Sequence, residues 1–239
     1  DKPVSGVLTE NDVKKLAYPQ SNVFTSAAPN DPLYSQQWHI PAIHSNEVWD
    51  SLTKGDTNHV IAIIDSGIDW THPDLEGKIW MNYAEVNGIA DIDDDGNGFV
   101  DDFRGWDWIN NDNNPMDDNS HGTHVAGIAG AKANNSIGIA GVSWGAKVMA
   151  IKVFQSSGYG DAGTIAQGIA YAKDKGVTVI NMSFGSYTRS LAIETVLAAT
   201  YGTSVLVAAS GNDAICIGPG ATCFPAYPAA LNFVLGIQA

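Results

Sequence analysis

Five continuous apolar runs punctuate the chain: HVIAIID at 59–65, KVMAIKVF at 147–154, VTVINMS at 177–183, SVLVAAS at 204–210 and NFVLGI at 232–237. Each is short, rich in Val and Ile, and apolar at successive rather than alternate positions. That pattern suits strands buried on both faces. Between the runs the period lengthens. Residues 161–174 open on Asp161, a residue type that caps helix N-termini, and carry Ile165 and Ile169 on one face. Residues 190–200 place Ile193, Val196, Leu197 and Thr200 at i, i+3, i+4 and i+7. Strand–helix alternation predicts right-handed crossovers and an α/β, doubly wound, mainly parallel sheet with helices on both faces.

Residues 1 to about 27 are polar, with an N-cap-like pattern in TENDVKKL, and read as a leader or linker outside a core domain of residues 28–239. The start, DKPVSG, carries neither an initiator Met nor a signal segment, which predicts a processed, trimmed or excerpted chain. Apolar residues make up 44% of the sequence, enough for an ordinary globular core. No apolar run approaches the roughly 20 residues of a membrane helix. The net charge of −14 disfavours nucleic acid and anionic lipid as partners. Many of the acids crowd into 91–118, a pattern that suits cation binding better than a merely solvated face. Two cysteines, Cys216 and Cys223, bracket the short loop CIGPGATC. A disulfide, two free thiols and a metal site all fit that spacing; the disulfide would imply an oxidising, extracellular setting.

In open parallel sheets, ligands gather beyond the carboxyl ends of the strands. Asp65 ends the first run, Ser183-Phe184-Gly185 follows the third, and Gly211-Asn212 follows the fourth. Gly202-Thr203-Ser204 has the lettering of a serine nucleophile, yet Ser204 opens a β-branched run with no helix pattern after it. An activated serine needs a strained turn or helix start beside a base. Ser204 is therefore read as a strand residue.

Four blocks then carry a resemblance. DSGIDWTHPDL (65–75) and NSHGTHVAGIAG (119–130) resemble the aspartate and histidine blocks of the subtilisin-like serine proteases. AASGN (208–212) resembles their oxyanion block and NMSFG (181–185) their substrate-pairing segment. The blocks stand in family order over about residues 30–239. The resemblance implies Asp65 as the orienting carboxylate, His121 as general base and Asn212 as oxyanion donor. It implies that Gly158, Tyr159, Gly160, Ser183, Phe184 and Gly185, with Ser210 and Gly211, clamp an extended polypeptide as an added strand. His72 and His124 read as structural. The block bearing the attacking serine is absent from the sequence, so the chain by itself is expected to be inactive.

DIDDDGNGFVDD (91–102), within an insertion at about 85–118, fits a calcium-loop template. Asp91, Asp93 and Asp95 would take positions one, three and five, Asn97 would give a carbonyl, and Asp102 the last carboxylate, with Asp101 as a further ligand. Asp replaces the usual Glu at position twelve. By resemblance, Asp31, Asp74 and Asn135, with the carbonyls of Ala133, Ile137 and Ile139, would form a second Ca2+ site. Cys223 precedes Phe224-Pro225, a candidate cis bond near the primary specificity pocket.

The leading expectation is a secreted, calcium-stabilised serine endopeptidase acting on extended polypeptides. Residues 1–27 would then hold the tail of an inhibitory propeptide, and a C-terminal chain would complete the site. A non-catalytic, calcium-binding pseudoenzyme or fragment is the alternative. A metallohydrolase using Asp65, His121 and His124 fits less well, because H-x-x-H lacks the glutamate base of zinc proteases.

Overall fold

The computed structural model describes residues 28–212 and 225–238. Six strands form one wholly parallel sheet in the order β2-β3-β1-β4-β5-β6. They are β1 (Val60–Asp65), β2 (Gly105–Asp107), β3 (Lys147–Lys152), β4 (Val179–Met182), β5 (Val205–Ala209) and β6 (Leu235–Ile237). Every apolar run of the sequence contributes one strand. Strand β2 escaped the sequence reading because three residues, GWD, are too few to show a period.

Alternation sorts the strand side chains onto two faces. Ala62, Ile64, Met149, Ile151, Ile180, Met182, Leu206 and Ala208 join the larger core cluster. That cluster lies beneath α5 (Ala162–Asp174) and α6 (Leu191–Thr200), which contribute Ile165, Ile169, Ala172 and Leu197. Ile63, Val148 and Ala150 face the other way and pack with Ala126 of α4 (His121–Gly130). Helices thus cover both faces of a doubly wound α/β sheet, as expected. Asp161 caps α5 by accepting from the Gly163 and Thr164 N–H groups, and Ser190 caps α6 by accepting from Ile193 N–H.

Short helices α1 (His39–Ala42), α2 (Ser45–Ser51) and α3 (Tyr83–Val86) lie on connections. Ile40 and Trp49 pack with Ala140 in a third small cluster. Strand order reverses direction at β1, which has β3 on one side and β4 on the other. Asp65 therefore sits at the topological switch point, where the diverging crossovers open a crevice.

On the α4 side, the cover that the described residues provide stops before the sheet does. Val207 and Ala209 are in register with Leu235 and Ile237, which puts those four on one face. Leu235 and Ile237 are more than half exposed, as is nearly half of Val205. The leader 1–27, Cys216, Cys223 and the Phe224-Pro225 bond lie outside the described residues.

Candidate active site

Asp65 is 1% exposed at the end of β1. Both its oxygens accept from His121 Nδ1, at 2.8 and 3.0 Å, and Oδ1 also accepts from the Ser66 N–H at 2.7 Å. Burial pushes the Asp65 carboxyl above its ordinary value, partly offset by the His121 and Ser66 hydrogen bonds. A carboxylate that binds Nδ1–H fixes the tautomer whose Nε2 carries a lone pair. His121 is the first residue of α4 and its side chain is 52% exposed. The geometry thus pairs a buried, oriented carboxylate with a base open to a reactant.

The sequence folds this way because three backbones meet at close quarters. A Cβ on Gly122 would overlap the Gly67 carbonyl oxygen, so only glycine lets the α4 N-terminus reach the end of β1. Ser66 Oγ accepts from the Gly122 N–H at 3.0 Å and donates to Asp117 Oδ1 at 2.8 Å. Asp117 also accepts from the Asn119, Ser120 and Thr123 N–H groups and from the Thr123 hydroxyl. Burial alone would raise its pKa. The Thr123 and Ser66 hydroxyls and the Asn119 and Thr123 amides outweigh it and hold the carboxyl below its ordinary value. Asp117 is the anchor of the helix that carries His121, a role not anticipated from sequence; its signal was an acid four residues before the histidine.

Gly158, Tyr159 and Gly160 lie in the turn after β3, with Gln155 N–H donating to Tyr159 O. Gly160 approaches Val153 O and the Phe154 ring too closely for any Cβ. Tyr159 is 78% exposed. Ser183, Phe184 and Gly185 follow β4; Ser183 Oγ accepts from Asn181 Nδ2, and Phe184 meets Phe154 edge-on at 5.1 Å. These two segments bound a cavity of about 450 Å³ that Ile165, Ile193 and Tyr227 also line. Tyr227 bridges to Ser186 by a pair of backbone hydrogen bonds, and the Tyr227–Pro228 peptide is cis. Among the described residues the aromatic-proline pair at this cavity is Tyr227-Pro228; Phe224 falls outside them.

Ser210 donates through both N–H and Oγ to Ile237 O, Gly211 has φ +99°, and Asn212 is exposed just past β5. Asn212 therefore shares the carboxyl edge with Asp65, two strands away. Ser204 is 9% exposed and donates to Val177 O at 2.7 Å. His124 is exposed one turn beyond His121, and His72 Nδ1 accepts from the Asp74 N–H.

The acidic insertion is arranged differently from the loop template. One oxygen each from Glu85, Asp93 and Asp95 lies within 4.8 Å of the others. Glu85 was missed because it precedes the loop. Its oxygens also receive the Asp94, Asp95 and Asp101 N–H groups. Asp101 Oδ1 is buried without a hydrogen-bond donor, while Asp101 Oδ2 accepts from the Asp91 N–H. Asp102 is buried and takes protein donors on both oxygens: Asn82 on one, Tyr171 O–H, Asn97 Nδ2 and Lys175 on the other. Asp102 latches the insertion to α5 rather than facing an open site. Elsewhere, Asp31 accepts from Asn134 and Asn135 N–H, and Asp74 from Asn135 Nδ2 and Ile139 N–H. The segment containing Ala133, Ile137 and Ile139 thus wraps both buried carboxylates.

Comparison with known proteins places this geometry. The sequence model of the Subtilase family matches residues 56–239. The chain is 36% identical over 207 residues to a thermophilic serine proteinase of Bacillus sp. (strain AK1), covering 85% of this chain and 46% of that protein. It is 36% identical over 201 residues to thermitase of Thermoactinomyces vulgaris, covering 83% of this chain and 62% of that one. Subtilisin-like protease 1 of Plasmodium berghei (strain Anka) is 39% identical over 178 residues, 73% of this chain and 28% of its own length. The chain therefore spans less than two thirds of each of these relatives. Motif order, a parallel sheet with the Asp–His pair at its switch point, and the family match agree: this chain belongs to the subtilase family.

Proposed function

We propose that the intact protein is a secreted serine endopeptidase in which Asp65, His121 and an incoming serine form the triad. The bidentate contact between buried Asp65 and His121 Nδ1 carries this reading, because it leaves Nε2 as the one basic nitrogen open to a reactant. Asp65 holds the tautomer and stabilises the imidazolium; His121 takes the serine proton and returns it to the leaving amine. Asn212, at the same sheet edge, donates to the developing oxyanion. An extended polypeptide lies between Gly158–Gly160 and Ser183–Gly185, its backbone completing the gap as a strand. The aromatic lining of the 450 Å³ cavity favours a bulky apolar side chain there.

The serine comes from a further segment, supplied in the same chain or by a second one. The uncovered apolar face of β5 and β6 beside α4 supports that placement. A propeptide would occupy the same cleft before activation. Among the described residues no helix is long and apolar enough to cross a membrane, and the acidic charge argues against nucleic acid as a partner. A Cys216–Cys223 disulfide would suit export.

Calcium ions stabilise the fold. The convergence of Glu85, Asp93 and Asp95 and the donorless buried oxygen of Asp101 suit a hard cation that takes several oxygens. The wrapping of Asp31 and Asp74 supports a second site. When bound, the ions neutralise carboxylates and tie the insertion and the 133–139 loop to the core.

The test is inhibition and mutation of the intact protein. A serine-directed acylating reagent should abolish cleavage of a casein-like substrate, and a zinc chelator should not. Asp65→Asn should lower kcat by roughly 10⁴-fold with the fold retained. A protein that binds calcium but never cleaves, even with the completing segment added in trans, would instead be a pseudoenzyme.

A further inference from the structure

Lys152 ends β3, is 1% exposed, and is the largest fully buried side chain among the described residues. It pairs in register with Asp65 of β1. Because Val148 and Ala150 face α4, the alternation puts Lys152 on that face as well. An ammonium there is costly. A hydrophobic residue of similar volume would fill the space without desolvating a charge. The ionic partner does not explain the burial either, since Asp118 is 48% exposed.

The acceptors are more informative. Lys152 Nζ donates to Ser66 O at 2.8 Å, to Asp118 Oδ1 at 2.6 Å and to Phe154 O at 3.0 Å. Three protons meet three acceptors, and each acceptor belongs to a different part of the site. Ser66 follows Asp65. Asp118 precedes His121 by three residues. Phe154 begins the stretch that leads to Gly158–Gly160, and its ring meets Phe184 across the cavity. Val153 N–H, beside it, donates to Asp65 O at 2.8 Å.

We propose that Lys152 is a positioning residue whose ammonium holds the Asp65 turn, the lead-in to the His121 helix and the start of the substrate clamp in one arrangement. It touches no substrate. It acts through the placement of Asp65 and His121, and misplacement of a reacting group by about 1 Å costs on the order of 10²-fold in rate. The kinetic part of this proposal rests on the peptidase reading; the spectroscopic part does not.

Lys152→Met in the intact protein is the test, with active sites titrated so that only folded enzyme is counted. We expect kcat and kcat/KM to fall together by roughly 10²-fold with KM little changed. The His121 Nδ1–H proton resonance should be broader in the variant than in the parent, through exchange with water. A variant of lowered melting temperature but unchanged kcat per active site would overturn the proposal, as would a resonance as sharp as the parent's. An inactive parent would sink the peptidase reading alone, and the resonance would still decide the role of Lys152. If Lys152→Met does not fold, half-exposed Asp118→Ala removes one of the three acceptors. It should lower kcat and broaden the same resonance, and parental values of both would overturn the proposal.

Discussion

Asp65 and Asp117 are both carboxylates within a few ångströms of the α4 N-terminus, yet their environments push them in opposite directions. Asp65 is desolvated more than its partners compensate, so its proton is held more tightly in the folded state than in the unfolded one. Its ionisation therefore subtracts stability as pH rises through the carboxylate range. Asp117 collects amide and hydroxyl donors and is held low. Its contribution is present above the ordinary aspartate pKa and is lost as pH falls through the depressed folded value. Asp117→Asn should cost about 1–2 kcal/mol at neutral pH, the scale of a lost helix cap. The deficit should shrink as urea titrations are repeated toward pH 3. A deficit independent of pH would show that the charge is not what Asp117 contributes.

Elements meet through buried cations as well as through apolar contact. Residues 78–80 run beside β3, with Val148 N–H donating to Lys78 O and Trp80 N–H to Val148 O. Lys78 itself is buried and donates to Trp144 O at 2.6 Å, joining that segment to the loop before β3. Burial, helped by the nearby Lys147 ammonium, lowers its pKa to about 8. The unfolded chain, with a lysine value near 10.4, then binds more protons than the native state between those limits. This group therefore adds stability as pH rises from about 8 toward 10. Lys78→Met should remove that rise in stability–pH curves measured by denaturant titration. The insertion is tied to α5 in the same manner, Lys175 pairing with Asp95 at 2.7 Å and Asp102 at 3.0 Å while Tyr171 donates to Asp102.

At the scale of the molecule, 26 acids against 12 bases must coexist in one fold. Carboxylates gathered at Glu85, Asp93 and Asp95 carry more negative charge than the single Lys175 ammonium beside Asp95 offsets, so stability should depend on calcium. By mass action a site filled at a hundredfold excess over Kd adds about 2.7 kcal/mol. The melting temperature should rise with calcium concentration and fall on chelation. Glu85→Gln and Asp93→Asn should each flatten that dependence, as followed by calorimetry. A melting temperature indifferent to chelator would remove the metal from the proposal. The face of β5 and β6 that the described residues leave open belongs to the same scale: its exposed Val205, Leu235 and Ile237 predict association with the serine-bearing segment proposed above.

What the linear order of residues determined was local or covalent in origin. Apolar runs specified five strands, although β5 and β6 keep one face exposed among the described residues, and the Asp161 cap and the period of Ile193, Val196, Leu197 and Thr200 announced two helices. The Asp–His pair was legible because DSGIDWTHPDL and NSHGTHVAGIAG resemble the family's aspartate and histidine blocks, with Asp65 ending an apolar run. Packing decided the rest. Glu85 joined the acidic cluster from outside its loop, and Asp102 left it for Tyr171 and Lys175. Tyr227 lines the proposed substrate cavity, a place no motif marked for it. Lys152 carried no signal inside its apolar run, because its three acceptors come from three separate segments. Hydrogen bonds and ion pairs depend on distances of about 3 Å between residues tens of positions apart, and only the folded chain sets those distances.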